Sequence, residues 1–259
     1  MESSPTLPVR YAAREGVARL TLDRPETRNA LSGAMIDGLI SGLARAAADP
    51  EVRVVVLSHT GMVFSSGADL KETAAALAGD GVPAARLGEL LAAVCECPKP
   101  VVARVSGPAR AGGLGLIAAA DVAVCTVDAS FAFSEVRIGV IPAVISATVL
   151  PRLTGRDAAE LFLTGSAFDG VRAARIGLVN AAVPAADLDA TVDRYVAELL
   201  RGAPGALAGT KALLRDATTL RDDLARLTEL SVAYFRSAEG REGIQAFREK
   251  RDPGWITQL

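Results

Sequence analysis

The chain has 259 residues and a mass of 26.7 kDa, about 103 Da per residue, because 49 are Ala and 24 are Gly. Half of it is hydrophobic and only 4% aromatic, so its core must be built from small aliphatic side chains and close backbone approaches. Twenty-eight basic residues against 30 acidic ones leave a net charge of −2, without the basic excess of a nucleic-acid binder, and no apolar run nears the ~20 residues that span a bilayer. A charged fraction of 22% argues against wholesale disorder. The length suits one large domain, or one domain with a small appendage. The start, Met-Glu-Ser-Ser-Pro-Thr, lacks the basic and apolar stretches of a secretory signal. Three cysteines are too few for a disulfide framework. The expected location is the cytoplasm, with no membrane or nucleic-acid partner.

Residues 10–22 alternate apolar and polar side chains around Glu15-Gly16, which predicts a β-hairpin ended by Asp23-Arg24-Pro25. Leu31, Met35, Ile36, Leu39, Ile40 and Leu43 then recur at helical spacing until Asp49-Pro50. Residues 52–57 form a β-branched run suited to a strand buried on both faces. A Gly- and Ser-rich loop follows at 58–69. A helix is predicted at 87–97 and a second buried strand at 101–105. A Gly-rich segment at 107–115 leads into a helix of small residues ending near Asp121. Short strands are predicted at 122–125 and 130–133. This alternation argues for an α/β layered core over 1–195, and the apolar spacing after it for a mostly helical region at 196–259.

Two glycine-rich loops follow buried strands: Gly61-Met-Val-Phe-Ser-Ser-Gly-Ala-Asp-Leu70 and Ser106-Gly-Pro-Ala-Arg-Ala-Gly-Gly-Leu-Gly115. Glycines leave backbone N–H groups uncovered, and a helix beginning at such a loop adds free donors. Two such loops could converge on one oxygen atom and stabilise negative charge on it. Phosphate binding is the rival reading. Neither loop carries G-x-x-x-x-G-K-[ST] or G-x-G-x-x-G, and the glycines could equally serve tight turns alone.

The surrounding motifs resemble the crotonase, or enoyl-CoA hydratase/isomerase, superfamily. They are Leu22-Asp-Arg-Pro-Glu-Thr-Arg-Asn-Ala-Leu31, the stretch Ser65 to Leu70, Pro100-Val-Val-Ala-Arg-Val-Ser-Gly107, and Gly112-Gly113 with Asp121. Further on come Phe133-Ser-Glu-Val-Arg-Ile-Gly-Val-Ile-Pro142, Leu163-Thr-Gly165, Ile176-Gly-Leu-Val-Asn180 and Phe247-Arg-Glu-Lys-Arg251. They occur in order over nearly the whole chain. The resemblance implies an α/β spiral of β-β-α units whose helical C-terminal region serves in trimerisation, giving a homotrimer or a dimer of trimers. It implies an acyl-CoA substrate and no metal or redox cofactor. The thioester oxygen would sit between the backbone N–H groups of Ala68 and Gly112. Arg28, Ala30, Ser66, Gly67, Leu70, Gly113 and Pro142 would help bind substrate. Asp69 also belongs to this set, and bracing the loop is the preferred reading of its side chain. Phe247 and Lys250 match positions that contact the CoA moiety, often from a neighbouring subunit. Val144, Ile145, Phe64 and the stretch 72–87 would shape the acyl pocket.

One departure stands out. Hydratases of this family hold a water between two glutamates. One matches Glu135; where the other would stand this chain has Gly115. A carboxyl between Phe133 and Val136 should be partly desolvated and its pKa raised. One carboxylate suffices to move a proton between C2 and C4 in double-bond isomerisation, and can also serve hydration. The run Gly113-Leu-Gly-Leu116 and the turn after Pro142 resemble a hydratase subgroup acting on branched or glutaconyl-type thioesters. Hydration of a 2-enoyl-CoA to a 3-hydroxyacyl-CoA, in fatty-acid or branched-chain metabolism, is therefore favoured over isomerisation. A catalytically silent acyl-CoA-binding protein is the third reading. The sole histidine, His59, and the pair Cys95 and Cys97 read as structural.

Overall fold

The computed structural model describes residues 7–76, 83–214 and 217–256. Strands β1 (Val9–Arg14) and β2 (Val17–Leu22) form the hairpin, turning through Glu15 and Gly16, both at positive φ. Ser32 caps α1 (Gly33–Ala48) by accepting from the Met35 N–H (3.2 Å), so the helix begins two residues later than its apolar spacing suggests. Strand β3 (Val54–His59) is buried throughout. Helices α2 (Leu70–Ala76) and α3 (Pro83–Glu96) lead to β4 (Val101–Val105). The two-residue strand β5 (Ala109–Arg110) precedes α4 (Gly112–Ala119), followed by β6 (Val122–Thr126) and β7 (Ser130–Ala132).

Strand β7 ends one residue before the predicted 133, and Glu135 opens a short 3-10 turn, Glu135–Ile138, that leads toward α5 (Ala143–Val149). Helix α6 (Gly155–Thr164), β8 (Phe168–Asp169), α7 (Gly170–Arg175) and β9 (Ala181–Val183) complete the α/β part. Four further helices follow: α8 (Leu188–Arg201), α9 (Pro204–Leu213), α10 (Ala217–Arg236) and α11 (Ala238–Glu249). Helix α8 runs across the boundary expected at 195/196.

The main sheet has the order β1-β2-β3-β4-β6-β9, parallel from β2 onward. Side chains alternate across β3. Val55 and Leu57 join the core formed with α1, α3 and α4; Val54 and Val56 meet Leu188, Val192 and Val196 of α8 on the other face. Both faces are thus covered, as parallel sheets require. A second sheet, β5-β7-β8, stands beside it.

Helix α4 explains the light composition. All eight of its residues are buried. A Cβ on Gly113 would lie 2.9 Å from Ser65 Cβ, and one on Gly115 would lie 2.6 Å from Ile145 Cγ2. Neighbouring elements therefore pack on its bare backbone. The scarce aromatics are also concentrated: Phe131, Phe133, Phe162 and Phe168 pack together with ring centroids 4.5–5.9 Å apart.

Candidate active site

Two loops leave the C-terminal ends of the neighbouring parallel strands β3 and β4, where ligands bind in open α/β sheets. They run side by side. The Phe64 N–H donates to Pro108 O (2.9 Å), the Arg110 N–H donates to Ser65 O (3.0 Å), and Ser65 and Ala109 form a parallel bridge. The other edge of the first loop pairs with residues 28–31. Ser66 N–H donates to Arg28 O (3.0 Å) and Leu31 N–H to Gly67 O (2.8 Å).

Asn29 locks this arrangement. It is fully buried and sits at φ +51, a left-handed conformation that Asn tolerates better than most residues. Its Nδ2 donates to Thr60 O (3.0 Å) and Val63 O (2.8 Å), and its Oδ1 accepts from the Arg24 N–H (2.8 Å). The Ser65 hydroxyl donates to Asn29 O (2.9 Å) and accepts from the Gly67 N–H (3.2 Å). Asn29 lies in a motif quoted from the sequence, but no positional role was read from it. A polar side chain beside a turn gives no sequence signal of which carbonyls it will satisfy.

The two expected donors stand where the loops touch. Gly67 is at φ +86, and a Cβ there would lie 3.0 Å from Arg110 O and 3.4 Å from Gly112 N. Ala68 follows Gly67, and Gly112 opens α4. Among the described residues, neither the Ala68 N–H nor the Gly112 N–H has a hydrogen-bond partner. Ala111, just before Gly112, is held at φ +47 and ψ −118, a strained conformation for a residue with a Cβ. Leu31 and Leu87 lie against Gly112, at 3.1 and 3.2 Å from the position of a Cβ.

A pocket of about 250 Å³ opens beside this contact, lined by Arg28, Ala30, Ser66, Ala68, Asp69, Leu70 and Phe247, with Glu26, Thr27 and Lys71. Lys71 is a cation that the sequence reading did not single out. Phe247 lines the pocket from α11. Lys250 terminates α11 three residues on and is not among the lining residues. Asp69 braces the loop: its Oδ1 accepts from the N–H groups of Lys71 (2.9 Å) and Glu72 (3.1 Å) at the start of α2. Phe64 is fully buried and packs edge-on to His59. Pro142 caps α5, with Val144 and Ile145 buried behind it. Of the stretch 72–87 expected to shape the acyl pocket, residues 77–82 lie outside the described residues.

Glu135 is linked to the Gly112 loop through the second sheet. Strand β5, before Gly112, pairs with β7, and Glu135 follows β7 by three residues. The residue is 8% exposed, and its Oε2 has no hydrogen-bond partner. Burial pushes its pKa up to about 7, against a weak opposing hydrogen bond from its own backbone N–H. Gly115 lies one turn along α4 from Gly112, and Ile145 with Leu91 fills the space where its side chain would project. The departure at Gly115 is therefore matched by packing that leaves no room for a second carboxylate. No group of three or more potential metal ligands occurs among the described residues.

A parallel sheet carrying two touching glycine-rich loops, with a buried carboxyl and a pocket beside the loops, defines an α/β protein with a candidate ligand site at the C-terminal edge of its sheet. Comparison identifies the family. Residues 12–258 match the enoyl-CoA hydratase/isomerase family model. A Rhodobacter capsulatus protein named "Probable enoyl-CoA hydratase" is 38% identical over 249 residues, covering 95% of this chain and 96% of that protein. The crystal structure of an enoyl-CoA hydratase from Mycobacterium avium is 46% identical, covers 97% of this chain and 100% of its own, and superimposes with a TM-score of 0.87. The mitochondrial enoyl-CoA hydratase domain-containing protein 3 of Rattus norvegicus is 33% identical, covering 98% of this chain and 86% of that protein. The chain belongs to the enoyl-CoA hydratase/isomerase, or crotonase, family.

Three outcomes follow from this geometry. Asn29→Ala strands the buried Thr60 and Val63 carbonyls and should cost roughly 2–4 kcal/mol in urea unfolding, since each unsatisfied buried group costs about 1–3 kcal/mol. Gly115→Ala should overpack against Ile145 and destabilise by about 1–3 kcal/mol. When it is combined with Ile145→Ala, the two losses should be less than additive in thermal melts, because the added methyl enters the space that Ile145 vacates. The third concerns Glu135, whose folded pKa of about 7 lies above its ordinary value of 4.5. Burial therefore costs nothing below pH 4.5, and the cost grows until pH 7. Above pH 7 the ionised form destabilises the fold by about 3 kcal/mol. Glu135→Gln should thus be more stable than the parent in urea titrations at pH 8, with the gain vanishing at pH 4.5.

Proposed function

We propose that the protein hydrates a 2-enoyl-CoA to a 3-hydroxyacyl-CoA. The observation that carries this reading is Glu135: a buried carboxyl with a free oxygen and a pKa of about 7, in the turn that follows β7, whose partner strand β5 leads into Gly112. A general base works best with a pKa near the working pH. In the proposed reaction the thioester oxygen accepts from the Ala68 and Gly112 N–H groups. Ionised Glu135 takes a proton from water as its oxygen bonds to C3. The C2–C3 π electrons move onto the thioester as an enolate, whose charge the two donors stabilise. Glu135 then returns the proton to C2. The sum is addition of one water, which needs neither a metal nor a redox cofactor. Phe247, Arg28 and Lys71 around the pocket support a CoA site there, and Lys250 is proposed to contact a CoA phosphate from the adjacent helix end. Assembly as a trimer or a dimer of trimers is proposed on the family resemblance. The exposed Leu213 and Leu214 are compatible with a subunit contact.

Double-bond isomerisation is the second reading. It is favoured by the Gly115–Ile145 packing, which leaves Glu135 without a second carboxylate. Mass spectrometry of products from straight, branched and aromatic enoyl-CoAs separates the readings. Hydration adds one water. Isomerisation leaves the mass unchanged while moving the double bond. No change of either kind identifies an acyl-CoA-binding protein. For the hydratase, kcat/KM should rise with pH through about 7 and then level, because Glu135 must be ionised to accept a proton. Glu135→Gln should lower kcat by at least ~10²-fold and abolish that rise. Near-normal turnover in this variant overturns the mechanism.

A further inference from the structure

The two donor loops are tied together at their base by a histidine that the proposed reaction does not use. His59 is the last residue of β3 and the sole histidine of the chain; Ser106 is the first residue after β4. His59 Nε2 accepts from the Ser106 N–H (3.2 Å) and stands 2.8 Å from the Ser106 hydroxyl. That hydroxyl accepts from Arg104 Nη1 (3.2 Å), which leaves its own proton for the ring, where the one Nε2 lone pair is shared between the two Ser106 donors. With Nε2 accepting, the ring proton resides on Nδ1, 3.4 Å from Thr60 O. Phe64 packs edge-on at 5.5 Å and 77°. The imidazole is 8% exposed and held through both nitrogens.

From this contact the ladder between the loops proceeds through Phe64–Pro108 and Ser65–Arg110 to the Gly67–Gly112 contact. Met62 O lies against the Gly107 Cα, directly after Ser106, which leaves no room there for a side chain. A shift of Ser106 would therefore be carried along the ladder into the donor pair.

We infer that His59 is a positioning residue: by accepting from both Ser106 donors it sets the register of the two loops and hence the separation of the Ala68 and Gly112 N–H groups. This rests on the reading of those groups as the thioester-binding pair. Burial, with Arg104 nearby, holds the imidazole below its ordinary pKa and so neutral. Arg104, on β4, is the charged group facing it, and its Nε is paired with Asp189 of α8 (2.5 Å). Protonation would place a hydrogen on Nε2 against two donors.

The test compares His59→Leu, which removes the acceptor, with His59→Gln, whose amide oxygen can occupy the Nε2 position. The probe is an aryl-conjugated enoyl-CoA bound in a Glu135→Gln background, where a polarised thioester carbonyl shifts the absorbance to the red. The leucine variant should lose at least half of that shift. In the Glu135 protein it should lower kcat about tenfold with KM little changed, since sub-ångström misplacement carries costs of this order. The glutamine variant should restore most of both. In the parent protein, NMR of the single imidazole at pH 7 should show a neutral ring protonated on Nδ1. Full shift and full kcat in the leucine variant overturn the inference. So does a glutamine variant no better than leucine, or an imidazole that is charged or Nε2-protonated. A parent protein without a red shift overturns the carbonyl-binding reading, and the inference with it.

Discussion

The first loop is hydrogen-bonded along both edges, to residues 28–31 on one side and to residues 107–111 on the other. Backbone groups do nearly all of this work. Their positions are fixed by strands β3 and β4, which end side by side in one parallel sheet. A site made of main-chain N–H groups would have its donors set by the backbone and not by which side chain each donor residue carries. It is tuned by how closely two chains approach, and that depends on residues without bulk. Gly67 and Gly113 are such residues, because a Cβ at either would meet the opposing loop at 3.0 Å or less. The strained backbone at Ala111 fits the same picture, since strain persists only where the surroundings over-determine it.

The carboxyl is held by the opposite principle. Glu135 is taken out of water with one oxygen unpaired, which works against stability above neutral pH. What offsets this is the packing beneath it. The phenylalanine cluster anchors β7 and β8, and α11 lies against the turn that carries the glutamate, through Gly139, Gly240 and Gly243. The aromatic cluster of an aromatic-poor chain thus adjoins the element that carries a carboxyl whose burial is unfavourable when ionised.

Much of the fold was legible in the sequence for a physical reason. Continuous β-branched runs become buried parallel strands: 101–105 coincides with β4, and 52–57 announces β3 two residues early. Glycine-rich stretches directly after such strands mark backbone exposed at the ligand-binding edge. What stayed hidden depends on contacts distant in the chain. Nothing local says that Asn29 will satisfy the carbonyls of Thr60 and Val63, or that Ile145 will fill the space beside Gly115. Strand β7 stops at Ala132, one residue short of the predicted 133, because its end is set by tertiary pairing with Arg110 and not by composition.

The C-terminal region carries the last consequence. Its helix α11 touches the site at two places: near its start it lies against the Glu135 turn, and near its end it supplies Phe247 to the pocket. A helix of twelve residues is about 18 Å long, and its backbone hydrogen bonds make it stiff on that scale. The group that would move protons and the pocket that would hold the CoA moiety are therefore joined by one rigid element of the same chain. A ligand that displaces Phe247 must either tilt α11, and so disturb the Glu135 turn, or be shaped to leave it in place. The pocket's selectivity and the carboxyl's environment are on this account not independent properties. Both are read out through the same close approach of glycine backbone to glycine backbone that the composition of the chain makes possible.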